Sequence, residues 1–145
     1  MAIDQFSGSL PMTLYRTLDA VMPRFRKIFN EFGLTEQQWR VLRVLWEYEA
    51  VTINRLAELT LIPAPSLVGV IDRLERDEIV TRQRSQADRR KVNVVLIAKG
   101  VELEDQVMPR VAAAYAALKQ SVDGATWDLV LEGLQEIAMT EEMSE

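Results

Sequence analysis

Residues 52–99 read TINRLAELTLIPAPSLVGVIDRLERDEIVTRQRSQADRRKVNVVLIAK, and the punctuation of this stretch decides the fold. Thr52 stands where a helix N-cap belongs, and Ile53, Leu56, Ala57 and Leu59 give one apolar side to a short helix. A turn around Thr60–Ile62 leads into Pro63-Ala64-Pro65-Ser66. Both prolines suit a helix start, because neither needs its missing N–H in the first turn. Leu67, Val70, Ile71 and Leu74 then form the apolar side of a second helix that runs to about Asp77. Ile79–Arg82 and Lys91–Leu96 are rich in β-branched residues and predict two strands, with the polar link Gln83–Arg90 as a hairpin tip. A helix, a turn and a second helix make a compact rod that can enter a DNA major groove. The basic hairpin after it can reach the neighbouring minor groove, which points to a DNA-binding regulator.

Working outward, the N-terminal side predicts a helix from about Leu10 to Phe32. Leu10, Leu14, Leu18, Val21, Phe25, Ile28 and Phe32 recur at three- and four-residue steps, and Gly33 is placed as its stop. Pro23 inside that pattern predicts a kink or a locally opened hydrogen bond. Thr35 and Gln38 match a capping box for the next helix, with Leu34 as its hydrophobic staple and Trp39, Leu42, Leu45 and Trp46 on its buried side. Glu47–Val51 breaks the pattern. On the C-terminal side Lys99-Gly100 opens a long helix through Leu103, Val107, Val111, Tyr115, Leu118 and Val122, with Pro109 predicting a bend. Asp123-Gly124 reads as a turn and Ala125-Thr126 as the cap of a last helix carrying Trp127, Val130, Leu131, Leu134 and Ile137.

The fold class expected is therefore mainly α with a small β-hairpin: a winged helix-turn-helix over 35–99, flanked by long helices at 10–33 and 100–140. Such amphipathic arms cannot bury both faces against so small a module. They are expected to interlock with a second copy as dimerisation helices, making a homodimer with two recognition helices on one face. The 145 residues suit a single domain, and 48% apolar content suffices for a core.

Composition narrows the chemistry. The chain has no Cys and no His, so thiol nucleophiles, thiolate metal sites, thiol redox switches and imidazole bases are excluded. Carboxylates recur on amphipathic helices, where a solvated face is their ordinary use, and no enzyme or cofactor is expected. No apolar run approaches the ~20 residues that span a bilayer, and the first ten residues lack an export signal. A cytoplasmic protein without a membrane partner is expected. The net charge of −5 divides unevenly: residues 52–99 carry nine basic and six acidic side chains, net +3, and the remainder is net −8. Phosphate contact depends on nearby cations more than on total charge, so a positive patch on an acidic body suits a docking face.

Thr52–Leu59, Ser66–Glu75, Ile79-Val80 and Asp88-Arg89-Arg90 followed by Gly100 together resemble the helix-turn-helix and wing signature of the MarR family of transcriptional regulators. The stretch Leu34-Thr35-Glu36-Gln37-Gln38-Trp39-Arg40, with Pro65-Ser66-Leu67 and Arg73-Leu74-Glu75-Arg76-Asp77, is similar in particular to the repressors of homoprotocatechuate (4-hydroxyphenylacetate) degradation. The resemblance implies a homodimeric winged helix that binds an inverted-repeat operator in double-stranded DNA. It further implies repression, relieved by a small phenolic or aromatic acid.

On the recognition helix the expected DNA contacts are Ser66, Leu67, Val68, Gly69, Arg73 and Arg76; in the wing they are Arg84, Asp88, Arg89, Arg90 and Lys91. Many relatives carry Thr-Arg where this chain has Val68-Gly69, which shifts readout toward Ser66, thymine methyls and DNA shape. Arg90 is expected to enter a narrow minor groove, aimed by a bidentate pair with Asp88, while Arg89 and Lys91 meet phosphates. Family effector pockets lie near the first two helices, which nominates Tyr15, Arg16, Met22, Trp39, Arg40 and Arg43. An arginine there can hold a carboxylate, and Trp39 can stack on a ring. A helical module whose wing docks a protein is the competing reading; the Arg-Arg-Lys tip argues against it. A small carboxylate enzyme is a second competitor, and would need acids converging in a pocket.

Overall fold

A computed structural model describes residues 6–142, apart from the side chains of Ser7, Glu141 and Glu142. After a short 3₁₀ turn at Phe6–Gly8 come α1 (Leu10–Glu31), α2 (Glu36–Glu47), β1 (Ala50–Thr52), α3 (Ile53–Thr60), α4 (Ala64–Arg76), β2 (Val80–Arg84), β3 (Val92–Leu96), α5 (Ala98–Gln120) and α6 (Gly124–Glu142). The chain divides into two compact units, Met1–Arg110 and Val111–Glu145, with α5 running from the first into the second.

Local chemistry sets the helix ends in the first unit. The Ser9 hydroxyl accepts from the Met12 N–H and opens α1, and Gly33 closes it with φ +69. Thr35 and Gln38 form the expected capping box: the Gln38 N–H donates to Thr35 Oγ1 at 3.1 Å and the Thr35 N–H to Gln38 Oε1 at 2.9 Å. Such a cap is worth ~1 kcal/mol. Thr52 Oγ1 takes the Arg55 N–H and starts α3. Pro63 caps α4 and Pro65 occupies its first turn. Both α1 and α5 continue past their internal prolines, Pro23 and Pro109.

The sheet has three antiparallel strands in the order β1-β3-β2. β1 is absent from the sequence expectation, which placed only a break there. It aligns Val51 with Val94 of β3. The core gathers Leu42 and Leu45 of α2, Leu56 of α3, Leu67, Ile71 and Leu74 of α4, all at most 1% exposed. Trp39 and Trp46 are only half-buried, where the sequence placed them on the buried side. The Trp46 indole N–H donates to the Gly100 carbonyl at 3.0 Å and pins α2 to the start of α5.

The α1 stripe divides between two environments. Phe25 and Ile28 are buried, whereas Leu10, Leu14 and Leu18 are 43%, 38% and 53% exposed. In the second unit Tyr115 and Trp127 meet edge to face at 5.5 Å. There α6 leaves Leu129, Val130, Ile137 and Met139 exposed. Its cap differs from expectation: α6 begins at Gly124, and the Asp123 carboxylate, not Ala125-Thr126, receives the Thr126 N–H at 3.3 Å.

Candidate nucleic-acid interface

The third and fourth helices and the hairpin carry the candidate surface; each helix is electrically neutral, and the positive charge sits in the hairpin. On α4 the side opposite the core exposes Ser66, Val68, Gly69, Arg73 and Arg76. Leu67 is a correction: it is 0% exposed, and the helical period that buries Val70, Ile71 and Leu74 carries it into the core. Nothing lies within 4 Å of a methyl built on Gly69, so this part of the helix surface is bare backbone. Arg73 and Arg76 occupy the last turn of α4, where cations complement the helix dipole, and neither forms an ion pair among the described residues.

The hairpin tip is braced from inside. The Ser85 N–H donates to the Lys91 carbonyl at 2.9 Å, the Lys91 N–H to the Asp88 carbonyl at 3.0 Å, and Arg84 Nη1 to the Arg89 carbonyl at 3.0 Å. Arg84 therefore shapes the tip that carries Arg89 and Arg90. Asp88 Oδ1 accepts both the Arg90 backbone N–H at 3.1 Å and Arg90 Nε at 3.2 Å. The pairing is thus single-oxygen rather than bidentate, and it leaves the terminal guanidinium nitrogens outside the pair. The Arg90 side chain is 92% exposed. The Asp88 carboxyl sits below the usual carboxylate range, first because of the Arg90 backbone N–H and then because of the Arg90 guanidinium. A cavity of about 350 Å³ opens beside the wing, lined by Thr52, Ile53, Asn54, Arg90, Lys91 and Val92. It sets the first turn of α3 next to two of the basic wing residues.

Arg82 enters the sequence reading only as the end of a strand and one of nine basic charges. Its Nη1 donates to Glu75 Oε1 at 2.8 Å and its Nη2 to Asp72 Oδ1 at 2.7 Å, while its backbone N–H donates to Glu75 Oε2 at 3.0 Å. Asp72 and Glu75 three residues apart on one helix, followed by an arginine at the next strand, is the only sequence trace of this network.

The nominated effector residues do not all converge. Trp39, Arg40 and Arg43 line one cavity of about 230 Å³ with Val44, Leu59 and Thr60; Tyr15, Arg16 and Met22 lie on α1 and do not line it. One face of Trp39 is taken by Phe29, stacked at 4.6 Å, and Trp46 meets Trp39 edge-on at 5.6 Å. Arg40 donates to the Thr60 carbonyl at the end of α3, and Arg43 pairs with Glu47 at 3.0 Å. Among the described residues no group of acidic side chains is disposed to hold a metal ion, and no helix is long and apolar enough to cross a membrane.

Residues 34–92 match the MarR family. The chain is 31% identical to the HTH-type transcriptional regulator FarR of Neisseria gonorrhoeae, over 93% of this chain and 92% of that protein. It is 35% identical to the homoprotocatechuate degradative operon repressor of Escherichia coli, over 77% and 75% of the two chains. The structure of NadR in complex with 4-hydroxyphenylacetate superposes with a TM-score of 0.83 at 31% identity, covering 94% of this chain and all of that one.

Proposed function

The chain belongs to the MarR family of transcriptional regulators, and on that premise we propose that it is a homodimeric repressor that binds an inverted-repeat operator. It is a regulator and not an enzyme, as are the relatives it matches. One observation carries the DNA reading: Arg90 stands 92% exposed at a hairpin tip braced by Asp88 and Arg84, and the first strand of that hairpin is tied at Arg82 to α4, whose outer face holds Ser66, Arg73 and Arg76. A braced, unburied guanidinium suits a narrow minor groove, while the N-terminal part of α4 enters the major groove. Arg89 and Lys91 meet phosphates, and Ser66, Val68 and Gly69 face base edges. The helices at 10–33 and 100–140 join two copies.

The effector in this reading is a single-ring phenolic acid, by likeness to NadR with 4-hydroxyphenylacetate and to the homoprotocatechuate operon repressor. Arg43 takes the carboxylate by releasing Glu47, and the part of Trp39 that lines the cavity meets the ring; Tyr15, Arg16 and Met22 of α1 close the site in the dimer. Such a ligand acts only by binding the DNA-incompetent state more tightly. The test is footprinting of the purified protein on DNA upstream of its own gene, with and without 4-hydroxyphenylacetate and related acids. The expected result is a protected inverted repeat with half-sites about one helical turn apart, weakened by an acid of this class. No protection at low salt would remove the DNA reading, and protection that no acid alters would remove the effector.

A further inference from the structure

Between the recognition helix and the wing lies a link of only three residues, Asp77-Glu78-Ile79. Glu78 adopts the left-handed backbone region at φ 61, which side chains other than glycine seldom occupy. Backbone bonds from Glu78 N–H to the Glu75 carbonyl and from Ile79 N–H to the Leu74 carbonyl hold the turn itself. Beyond the turn, Arg82 ties β2 to α4 by hydrogen bonds and ion pairs.

The geometry points to Arg82 as a positioning residue that sets the angle of the wing against the recognition helix, so that α4 and Arg90 engage DNA as one body. Glu75 spends one oxygen on the Arg82 backbone N–H and the other on its guanidinium, which fixes both the main chain and the side chain of the strand root. Asp72 takes the second arm of the guanidinium one turn earlier on α4. Arg82 is only 25% exposed, and a planar guanidinium forked between two carboxylates on one helix resists rotation in a way that a lone surface pair does not. Burial opposes its charge, but the hydrogen bond it donates to Asp72 and the charges of Glu75 and Asp72 outweigh it, and the guanidinium stays protonated. Across the sheet Arg82 pairs with Val94, from which β3 runs back through Val92 toward the tip residues Arg90 and Lys91.

This inference rests on the DNA-binding reading for its purpose, but the fixed angle itself can be measured without DNA. Because the chain has no cysteine, Ala64→Cys and Gln86→Cys place spin labels on α4 and on the tip with no competing thiol. With doubly labelled chain diluted into unlabelled chain, the label distance should be narrowly distributed, and Arg82→Met should broaden it. An unchanged distribution overturns the proposal. On DNA, Arg90→Ala should weaken operator binding by about tenfold in the parent protein. In the Arg82→Met background, where the tip is no longer aimed, the same substitution should cost less than about twofold, because coupled positions are not additive. Equal losses in the two backgrounds overturn the proposal. So does recovery of affinity on adding Asp72→Asn and Glu75→Gln to Arg82→Met, which would make Arg82 a charge mask only. A parent protein that ignores duplex DNA while its labels show a fixed angle sinks the DNA reading and leaves the positioning role standing.

Discussion

Gly100 lies directly beneath the carbonyl of Ile79. A methyl built on its Cα would stand well inside contact with that oxygen and 2.9 Å from Leu96 Cδ2. The same residue accepts the Trp46 indole N–H through its own carbonyl. Helix α5 can approach the base of the hairpin this closely only because position 100 has no side chain.

Gly100→Ala is therefore expected to destabilise the protein despite the better helix propensity of alanine. Backbone cannot yield as a flexible side chain does, and overpacking of this kind costs ~1–3 kcal/mol. Thermal unfolding should show a lower midpoint for the variant. An unchanged or raised midpoint would mean that α5 shifts freely on the sheet.

Leu61 presents the opposite case. It closes α3 at φ 57, with its N–H on the Ala57 carbonyl at 3.0 Å, and its side chain is 80% exposed. A β-carbon in this backbone region costs about 1–2 kcal/mol, and almost no burial offsets it. Leu61→Gly should raise the unfolding midpoint by a few degrees, even after the greater chain entropy of glycine is counted. A lowered midpoint would show that Leu61 is covered in the assembled protein.

What the sequence disclosed and what it hid follow one division. Thr35, Gln38, Thr52, Pro63 and Pro65 act on backbone groups a few residues away, and their effects are readable along the chain. The β-branched runs at β2 and β3 are equally local. β1 is invisible because three residues form a strand only when Val94 and Val95 arrive from more than forty positions downstream. The Arg82 network hides for the same reason, since its partners lie across a turn. Leu67 stands among the expected DNA contacts, yet its spacing with Val70, Ile71 and Leu74 assigns it to the core, where the structure holds it.

The Asp88 carboxyl makes the wing sensitive to acid, not to alkali. Its value in the folded chain is lowered, so its contribution is present above the ordinary value of about 3.9 and is lost as pH falls through the lowered value. A side-chain carboxyl titration followed by NMR should place the Asp88 midpoint below that of a free aspartate. Arg90→Ala should move it only part of the way back, because the backbone N–H of residue 90 survives the substitution. A full return to the free value would mean that the guanidinium alone holds the carboxylate.

Two arginines in one cavity are expected to behave differently. Arg40 satisfies the Thr60 carbonyl at the end of α3, so Arg40→Gln should lower the unfolding midpoint. Among the described residues Arg43 is tied only to Glu47, a half-exposed pair of small intrinsic worth, so Arg43→Gln should leave stability nearly intact. If Arg43 receives the carboxylate of the proposed phenolic acid, the same variant should weaken effector binding by about tenfold or more, as loss of a charged hydrogen bond does. Calorimetric titration separates the two outcomes, and equal effector affinity in parent and Arg43→Gln would remove Arg43 from the site.

The apolar stripe of α1 is continuous in sequence but divides between the core and the surface. Phe25 and Ile28 fill the core of the chain, whereas Leu10, Leu14 and Leu18, at the same helical spacing, remain 38–53% exposed. A clustered apolar face of this kind on a folded chain marks a surface that is covered in use, and a second copy offers a matching stripe at no further requirement on sequence. Leu14→Glu with Leu18→Glu would force two carboxylates into that contact, at a cost of several kcal/mol per uncompensated buried charge. Sedimentation should then show the parent as a dimer and the variant as a folded monomer. Operator binding should fall steeply in the variant, since one chain reaches one half-site only. A parent protein that sediments as a monomer would leave the exposed leucines without a partner and remove the dimeric reading.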